Sequence, residues 1–183
     1  VELLRSWNGG AGAPLAPVKD GVRRGTPLQA SPLVRRDATD QQLLNQVVDY
    51  YHRTLTGDGA EALAYLSKRG LASSEVIDRF KLGFANNTLG YRLPKKTWKE
   101  GQEVRLRLAS IGLMRDTGHE FFGGALVVPI LDPENGNVLG VYGRRIVDAR
   151  PREGQSRHLY LKGPHRGVWN VEALSASREV TVC

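Results

Sequence analysis

Positive and aromatic residues concentrate between Gly143 and Arg166, so this segment is the strongest candidate for binding chemistry. Arginine contacts phosphate through two parallel hydrogen bonds, and aromatic rings stack on unpaired bases. The pattern is compatible with a surface for single-stranded nucleic acid, but composition alone favours the alternative, a solvated charged loop beside buried aromatic residues. The cations are Arg144, Arg145, Arg150, Arg152, Arg157, Lys162 and Arg166, the only acids are Asp148 and Glu153, and His158, Tyr160 and His165 are interleaved.

Residue patterns typical of catalysis are missing from the sequence. The histidines are not spaced as metal ligands, and the single cysteine, Cys183, has no partner at a motif distance. No serine lies in a nucleophile elbow, and no glycine run precedes Lys-Ser or Lys-Thr as in a P-loop. We therefore expect no complete active site, no metal site and no cofactor in this chain.

Composition sets the class of protein and the kind of partner. A length of 183 residues with 40% hydrophobic content suits one compact domain plus a tail. The formal charge of +7 favours a polyanionic partner such as nucleic acid. No apolar stretch approaches the roughly 20 residues of a membrane helix. We expect a cytoplasmic protein with no membrane association.

Helical periodicity dominates the first half of the folded region. Apolar residues recur on one helical face from Asp40 to Leu55. A second helix is predicted from about Gly59 to Arg69, ended by Gly70, and a third from Ser73 to Phe80. Glu100 to Ile111 predicts another helix.

Strand patterns follow. The apolar runs 125–131 and 138–142 flank Asn135-Gly136, a dipeptide typical of tight hairpin turns. Further edge strands are predicted at 159–161 and 167–169, a short helix at 171–175, and a last strand at 179–182. The fold class is therefore α+β, with an N-terminal helical segment followed by a small antiparallel sheet that contains a β-hairpin.

Several segments occur in the order found in the catalytic core of bacterial DnaG-type DNA primases. Tyr65 to Leu71 reads YLSKRGL and Val76 to Ala85 reads VIDRFKLGFA, which resembles the YL-x-x-RGL and I-x-x-F-x-L-G-F-A motifs of that family. The hairpin region, 121–144, resembles the family's F-x-x-R-x-x-F-P-I and G-x-x-I-G-F-G-G-R motifs, although the arginine before F-P-I is absent here, where residues 123–130 read GGALVVPI. The chain from Gln42 to Cys183 therefore resembles the N-terminal part of the primase core, which precedes the Toprim module.

The resemblance implies which residues contact a single-stranded template. Arg69 matches the arginine of RGL, Arg144 closes the hairpin motif, and Tyr160 matches the tyrosine of the family's K-Y-L-N-S-P segment. That segment has Leu159 here in place of the lysine and Lys162 in place of the asparagine, and such departures resemble primases of phages, plasmids and other mobile elements. The candidate nucleic-acid-binding residues are Arg69, Arg144, Arg145, Arg157, His158, Tyr160, Lys162, His165 and Arg166.

The resemblance also implies the domain organisation. Residues 1–39 are expected to be the end of an upstream zinc-ribbon helix plus a flexible linker, residues 40–177 the N-terminal domain of the primase core, and residues 178–183 the first strand of a truncated Toprim domain. In the family, Toprim carboxylates hold divalent metal for nucleotidyl transfer. This chain is thus expected to bind single-stranded DNA without polymerising.

A longer parent protein is expected to carry the activity. The resemblance implies a nucleotidyltransferase that needs Mg²⁺ or Mn²⁺, and Zn²⁺, and makes RNA primers for replication. Its expected partners are a single-stranded DNA template, an RNA–DNA hybrid, ribonucleotides and a replicative helicase. Two alternatives stay open: a non-catalytic nucleic-acid-binding or recruitment module of a mobile-element replication protein, and a relative of Toprim nucleases or topoisomerases.

Overall fold

A computed structural model of the chain describes residues 33–34, 37–146, 156–176 and 179. Contacts divide the chain into Val1–Ala30 and Ser31–Cys183, and every described residue lies in the second unit. The predicted linker up to Pro32 and most of the predicted strand at 179–182 lie outside the described residues.

Helix α1 (Asp40–Thr56) begins at a complete capping box. The side-chain oxygen of Thr39 accepts a hydrogen bond from the backbone N–H of Gln42, and the side chain of Gln42 accepts one from the backbone N–H of Thr39. An N-cap of this kind stabilises a helix by about 1 kcal/mol. The buried residues of α1 recur at helical spacing from Leu43 to Leu55, which confirms the first predicted helix.

Two short helices follow, α2 (Ala60–Ser67) and α3 (Ser74–Arg79). After α2 the chain reverses at Gly70, whose φ of +70° glycine adopts without steric cost. The N–H of Leu71 then bonds the carbonyl of Leu66 at 3.0 Å, which satisfies a free helix-end carbonyl. The later helices are α4 (Leu89–Arg92), α5 (Lys99–Ser110) and α6 (Ala173–Ala176). Of these, α4 was not predicted.

The strands form one antiparallel sheet in the order β1-β2-β3-β4. They are β1 (Gly83–Ala85), β2 (Ala125–Leu131), β3 (Val138–Arg145) and β4 (His158–Tyr160). The turn between β2 and β3 contains Gly136 at a φ of +71°, which confirms the predicted hairpin. Together with the helices, the sheet confirms the α+β class.

The sheet separates two groups of buried residues. Successive residues of a strand point to opposite faces. One face, called the α1 face, packs Val127, Val141 and Leu159 against α1, α4 and α5. The other, called the α2 face, packs Phe84 and Leu126 against α2 and α3.

Two predicted elements near the end of the chain differ in the structure. Gly167 to Trp169 is not a strand, because Gly167 has a φ of +73° and lies against the side chains of Ile130 and Leu139. The ring of Trp169 packs on Phe80 with centroids 4.4 Å apart. This segment therefore runs from the hairpin to α3. The helix predicted at 171–175 is the single turn α6.

Candidate nucleic-acid interface

The part of the α2 face that α2 and α3 leave exposed carries aromatic and basic side chains of β3 and β4. Tyr142 pairs with Tyr160, and Arg144 pairs with His158. Directly paired residues share a face of the sheet, so these four side chains lie next to one another. Together with His165, which follows β4, they are called the aromatic–basic row: Tyr142, Arg144, His158, Tyr160 and His165.

His158 connects the arginine of the row to a tyrosine. The Tyr142 hydroxyl lies 2.8 Å from His158 Nδ1, and the guanidinium of Arg144 bonds His158 Nε2. A guanidinium can only donate, so Nε2 accepts and the proton of the neutral ring is on Nδ1, where it is donated to the hydroxyl oxygen. The imidazole of His158 therefore positions Arg144 along the strand, and the positive charge of the Arg144 guanidinium stays available on the surface.

The rings of the row contact one another. The centroids of Tyr142 and Tyr160 are 5.4 Å apart, and the ring of His165 stands perpendicular to Tyr160 at 5.1 Å. These are normal distances for aromatic pairs. Tyr160 is nevertheless 52% exposed. It offers a stacking surface to an unpaired base next to cations that can meet phosphates.

Helix α2 borders the row. The guanidinium carbon of Arg69 lies 4.6 Å from the ring centroid of Tyr65, a cation–π distance. Tyr65 is close enough to influence the ionisation of Tyr142. Burial is the largest cause that raises the pKa of Tyr142 above its ordinary value, Arg144 opposes it, and the neighbouring hydroxyls of Tyr160 and Tyr65 raise it further. Tyr142 therefore stays protonated at neutral pH, and Arg69 lies over the ring of Tyr65.

A cleft of about 320 Å³ opens beside the row, between the hairpin, the start of α1 and the segment after β4. Lys162 and Arg166 contribute positive charge to the cleft, Asp40 contributes one acid, and His165 adds an imidazole ring. Its size falls at the lower end of the range for small-molecule sites. The remaining lining is mainly apolar or aromatic and includes Leu44, Ile111, Ile130, Val138, Leu139, Val141, Tyr142, Tyr160, Leu161 and Pro164.

The structure does not bring all nine predicted residues to one surface. Arg145 pairs with Ala125, so it lies on the α1 face, opposite Arg144, and its side chain is half-buried. Arg157 is exposed just before β4, where its carbonyl accepts a hydrogen bond from the backbone N–H of Arg145. Arg69, Arg144, His158, Tyr160 and His165 lie at or beside the row, and Lys162 and Arg166 line the adjacent cleft. Contact of any of them with nucleic acid stays a prediction.

Sequence reasoning missed two aromatic members of this surface. The sequence pattern includes Tyr142 in an apolar strand, and only the register with Tyr160 places it on the exposed face. The alternation of Val141, Tyr142 and Gly143 was the available signal. Tyr65 is part of a recognised motif, but its position under Arg69 depends on how α2 packs on the sheet.

The described part of the chain has neither a cluster of metal-ligand residues nor a membrane-spanning helix. No group of three or more histidine, cysteine, aspartate or glutamate residues there could hold a metal ion. The described helices are too short or too polar to cross a membrane.

Comparison with known proteins identifies the family. The sequence profile of the family described as DNA primase catalytic core, N-terminal domain, matches residues 50–170. The DNA primase of Salmonella typhimurium is 30% identical over 134 residues, which are 70% of this chain and 21% of that primase. The chain thus spans about a fifth of the length of this relative.

Solved structures share the fold. The DnaG primase catalytic domain bound to ssDNA matches 68% of this chain and 39% of its own length, with a TM-score of 0.52 and 30% identity. The zinc-binding and RNA polymerase domains of Aquifex aeolicus primase match 71% of this chain and 30% of their own length, with a TM-score of 0.53 and 25% identity. Because the family profile covers more than half of the chain, this protein belongs to the family of the N-terminal domain of the DNA primase catalytic core.

Proposed function

We propose that this domain holds a single-stranded DNA template for a primase, and that the template crosses the aromatic–basic row. The observation that carries the proposal is the continuous contact from Arg144 through His158 and Tyr142 to Tyr160 and His165. Phosphates need cations, and unpaired bases need exposed rings. The row supplies both within hydrogen-bond or ring-contact distance. A related DnaG catalytic domain bound to ssDNA supports the same partner here.

The neighbouring groups extend the proposed path. Arg69 adds a cation on the α2 side, while Lys162 and Arg166 add cations at the cleft on the other side. A flexible strand can place its phosphates over these charges while a base stacks on Tyr160. A duplex cannot do so without unpairing, because its bases are already stacked. We therefore expect a preference for single strands.

The proposal assigns catalysis to the complete parent protein. That protein would make short RNA primers from ribonucleotides in the cytoplasm, with an RNA–DNA hybrid as its product and a replicative helicase as a partner. Mg²⁺ or Mn²⁺ would assist nucleotidyl transfer, and Zn²⁺ would be held by a separate domain, as the zinc-binding domain of the Aquifex aeolicus primase suggests. The described residues include no group of three or more potential metal ligands, and their proposed role is template binding. An origin from a mobile element stays a prediction.

The test is fluorescence anisotropy of the chain with labelled single-stranded and duplex DNA of the same sequence at several salt concentrations. Arg144→Ala should weaken single-strand binding and reduce the salt slope by about 0.7, the value for one lost phosphate contact. Tyr160→Ala should cost about 1–3 kcal/mol, the value of one stacked base, and leave the salt slope nearly unchanged.

Arg115→Ala is the charge-matched control. Arg115 is exposed, and its guanidinium contacts the ring of Phe121, a residue that packs against the core on the α1 face. The affinity of this variant for single strands should be close to that of the parent, with only a small decrease because one positive charge is lost. Equal losses in Arg144→Ala and Arg115→Ala would show that net charge alone drives binding, and the proposal would be wrong.

A further inference from the structure

A second basic and aromatic surface lies on α4, the start of α5 and the segment between them. Residues 86–99 include four cations and no acid. Two aromatic side chains of this segment are exposed, Tyr91 at 87% and Trp98 at 52%. The residues of this surface, called the α4–α5 surface, are Tyr91, Arg92, Lys95, Lys96, Trp98 and Lys99.

Hydrogen bonds and close packing connect the elements beneath this surface. The Arg105 guanidinium donates hydrogen bonds to the carbonyls of Gly90, Pro94 and Gly101, at 3.0, 2.5 and 3.0 Å. It therefore connects α4, the connecting segment and α5. The segment also lies so close to α5 that a Cβ on Gly101 would be 2.1 Å from the Lys95 carbonyl oxygen. Groups on elements connected in this way lose less conformational entropy when they bind a ligand.

The charges of the surface are mostly available. Among the described residues, Lys99 is the only one of the four cations with an ion pair, a 3.9 Å contact to Glu103 between exposed side chains, and such pairs contribute little. Lys95 Nζ lies 5.6 Å from the Trp98 ring centroid. That contact covers one side of the indole with a cation and leaves half of the side chain exposed.

The α4–α5 surface is separate from the aromatic–basic row. Leu89 and Leu93 anchor α4, and Val104 and Leu108 anchor α5, in the core cluster of the α1 face. The row lies on the α2 face. The two surfaces therefore belong to elements on opposite faces of the sheet.

We propose that the α4–α5 surface is a second binding site for single-stranded nucleic acid. Two exposed rings among closely spaced cations match the alternation of bases and phosphates along a strand. An acidic protein segment would satisfy the cations, but it has no regular set of flat groups for the rings. A duplex would leave Tyr91 and Trp98 unstacked. The inference extends the proposed function, and it is tested independently of the row.

Tryptophan fluorescence tests the site directly, since a base stacked on an indole quenches it. The chain contains Trp7, Trp98 and Trp169, so Trp7→Phe combined with Trp169→Phe leaves Trp98 as the reporter. Titration of this variant with oligothymidine should quench Trp98 to saturation, with a midpoint that rises with salt. Adding Lys95→Ala and Lys96→Ala should lower the salt slope by about 1.4, the value for two phosphate contacts on a single strand.

Two further variants make the outcome specific. Arg53→Ala with Arg115→Ala removes two exposed arginines elsewhere and should leave the Trp98 titration close to that of the reporter variant. Arg144→Ala with Tyr160→Ala should weaken total binding but leave the quenching of Trp98 by oligothymidine. Anisotropy thus tests the proposed binding to the row, and Trp98 fluorescence separately tests binding to the α4–α5 surface.

Three results would overturn the inference. The first is no quenching of Trp98 at concentrations that saturate anisotropy. The second is quenching that disappears in the Arg144→Ala, Tyr160→Ala variant, which would make the surface an extension of the row. The third is a spectral change with a polyglutamate peptide and none with oligothymidine, which would assign the surface to an acidic protein partner.

Discussion

Glu120 is a buried carboxyl group that holds the connection after β1. Its side chain is 6% exposed, and Oε1 accepts a hydrogen bond of 2.6 Å from the backbone N–H of Leu89. Burial raises the pKa of Glu120 above its ordinary value of 4.5, while the backbone of Leu89, the hydroxyl of Tyr51 and the backbone of Asn87 lower it in part. The same burial, with the nearby carboxylate, raises the pKa of Tyr51. The folded state therefore favours the protonated form of Glu120.

This shift predicts a pH dependence of stability. A group whose pKa is raised in the folded state contributes its stability fully below the unfolded pKa and loses it as pH rises through the folded pKa. The free energy of unfolding should thus contain a component from Glu120 that decreases as pH rises above about 4.5. Glu120→Gln keeps an oxygen that can accept from Leu89 and removes the titration. Urea unfolding from pH 4 to pH 7 should show a smaller decline in this variant.

The control for Glu120 is Glu103, a half-buried glutamate at the surface. Among the described residues Glu103 pairs with Lys99 alone, at 3.9 Å, so Glu103→Gln should keep the parent's dependence of unfolding free energy on pH. If the free energy of unfolding decreased equally with pH in Glu120→Gln and in the parent, the buried carboxyl group of Glu120 would not be the source of the pH dependence.

Residue identity alone did not indicate the role of Glu120. It lies in the polar stretch Arg115 to Glu120, where a solvated loop is the natural interpretation. Its burial arises because Met114 and Glu120 form an isolated β-bridge, which brings the carboxyl to the N–H of Leu89. Such a contact depends on two segments about thirty residues apart, and periodicity carries no information about it. By contrast, Arg144 was found from its motif, because hairpin and arginine are contiguous.

At the scale of elements, periodicity predicted the long elements and missed the short ones. Helix α1 and the β2–β3 hairpin have many buried positions at regular spacing, so each pattern defines its element. Helix α4 is four residues long and has too few positions for a period. Its place is determined by Arg105, whose hydrogen bonds to Gly90 and Pro94 are tertiary contacts. The α4–α5 surface was missed for that reason.

Close packing of the α4–α5 connection predicts opposite outcomes for two glycine substitutions. Alanine has a better helix propensity than glycine by about 1 kcal/mol. A Cβ on Gly101 would lie 2.1 Å from the Lys95 carbonyl oxygen and 2.7 Å from that of Pro94, and overpacking typically costs about 1–3 kcal/mol. Gly101→Ala should therefore lower the free energy of unfolding despite the gain in propensity.

Gly90→Ala is the matched control in α4. Nothing lies within 4 Å of a Cβ at Gly90, so this variant should leave stability unchanged or raise it by up to about 1 kcal/mol. Chemical unfolding of both variants measures the difference. Equal stability of Gly101→Ala and the parent would mean that the connection between α4 and α5 yields easily, and that the base of the α4–α5 surface is not rigid.

For the whole molecule, the sequence indicated a nucleic-acid partner but not how the contacts are distributed. The net charge of +7 and the cluster after Gly143 pointed to a polyanion. The sheet register then divides that cluster, because Arg144 and Arg145 are neighbours in sequence and lie on opposite faces. Side-chain alternation determines this division once β3 is known to include both arginines. The sequence pattern predicted a strand that ended at Tyr142, whereas β3 continues to Arg145.

Two separate surfaces on one domain predict that affinity depends on strand length. An oligonucleotide of about 8 nucleotides can fill one surface only, within the range of 4–16 nucleotides bound by other compact domains. A strand several times longer can pass around the domain and contact both, and linked contacts can raise affinity by about 10²–10⁴. Affinity measured by anisotropy should thus increase with strand length much more than the larger number of possible binding positions on a longer strand explains.

Lysine substitutions separate this effect from simple statistics. Lys95→Ala with Lys96→Ala should reduce the affinity for the long strand strongly and the affinity for the short strand little, because the short strand still binds the aromatic–basic row. Arg53→Ala with Arg115→Ala, which removes the same charge, should change both affinities slightly and equally. Linked binding requires that the second surface contributes only when the strand is long enough to reach it. The two surfaces would therefore not bind one strand together if affinity for the long strand rose only in proportion to its length. The same conclusion would follow if the lysine variant weakened the binding of both strands equally.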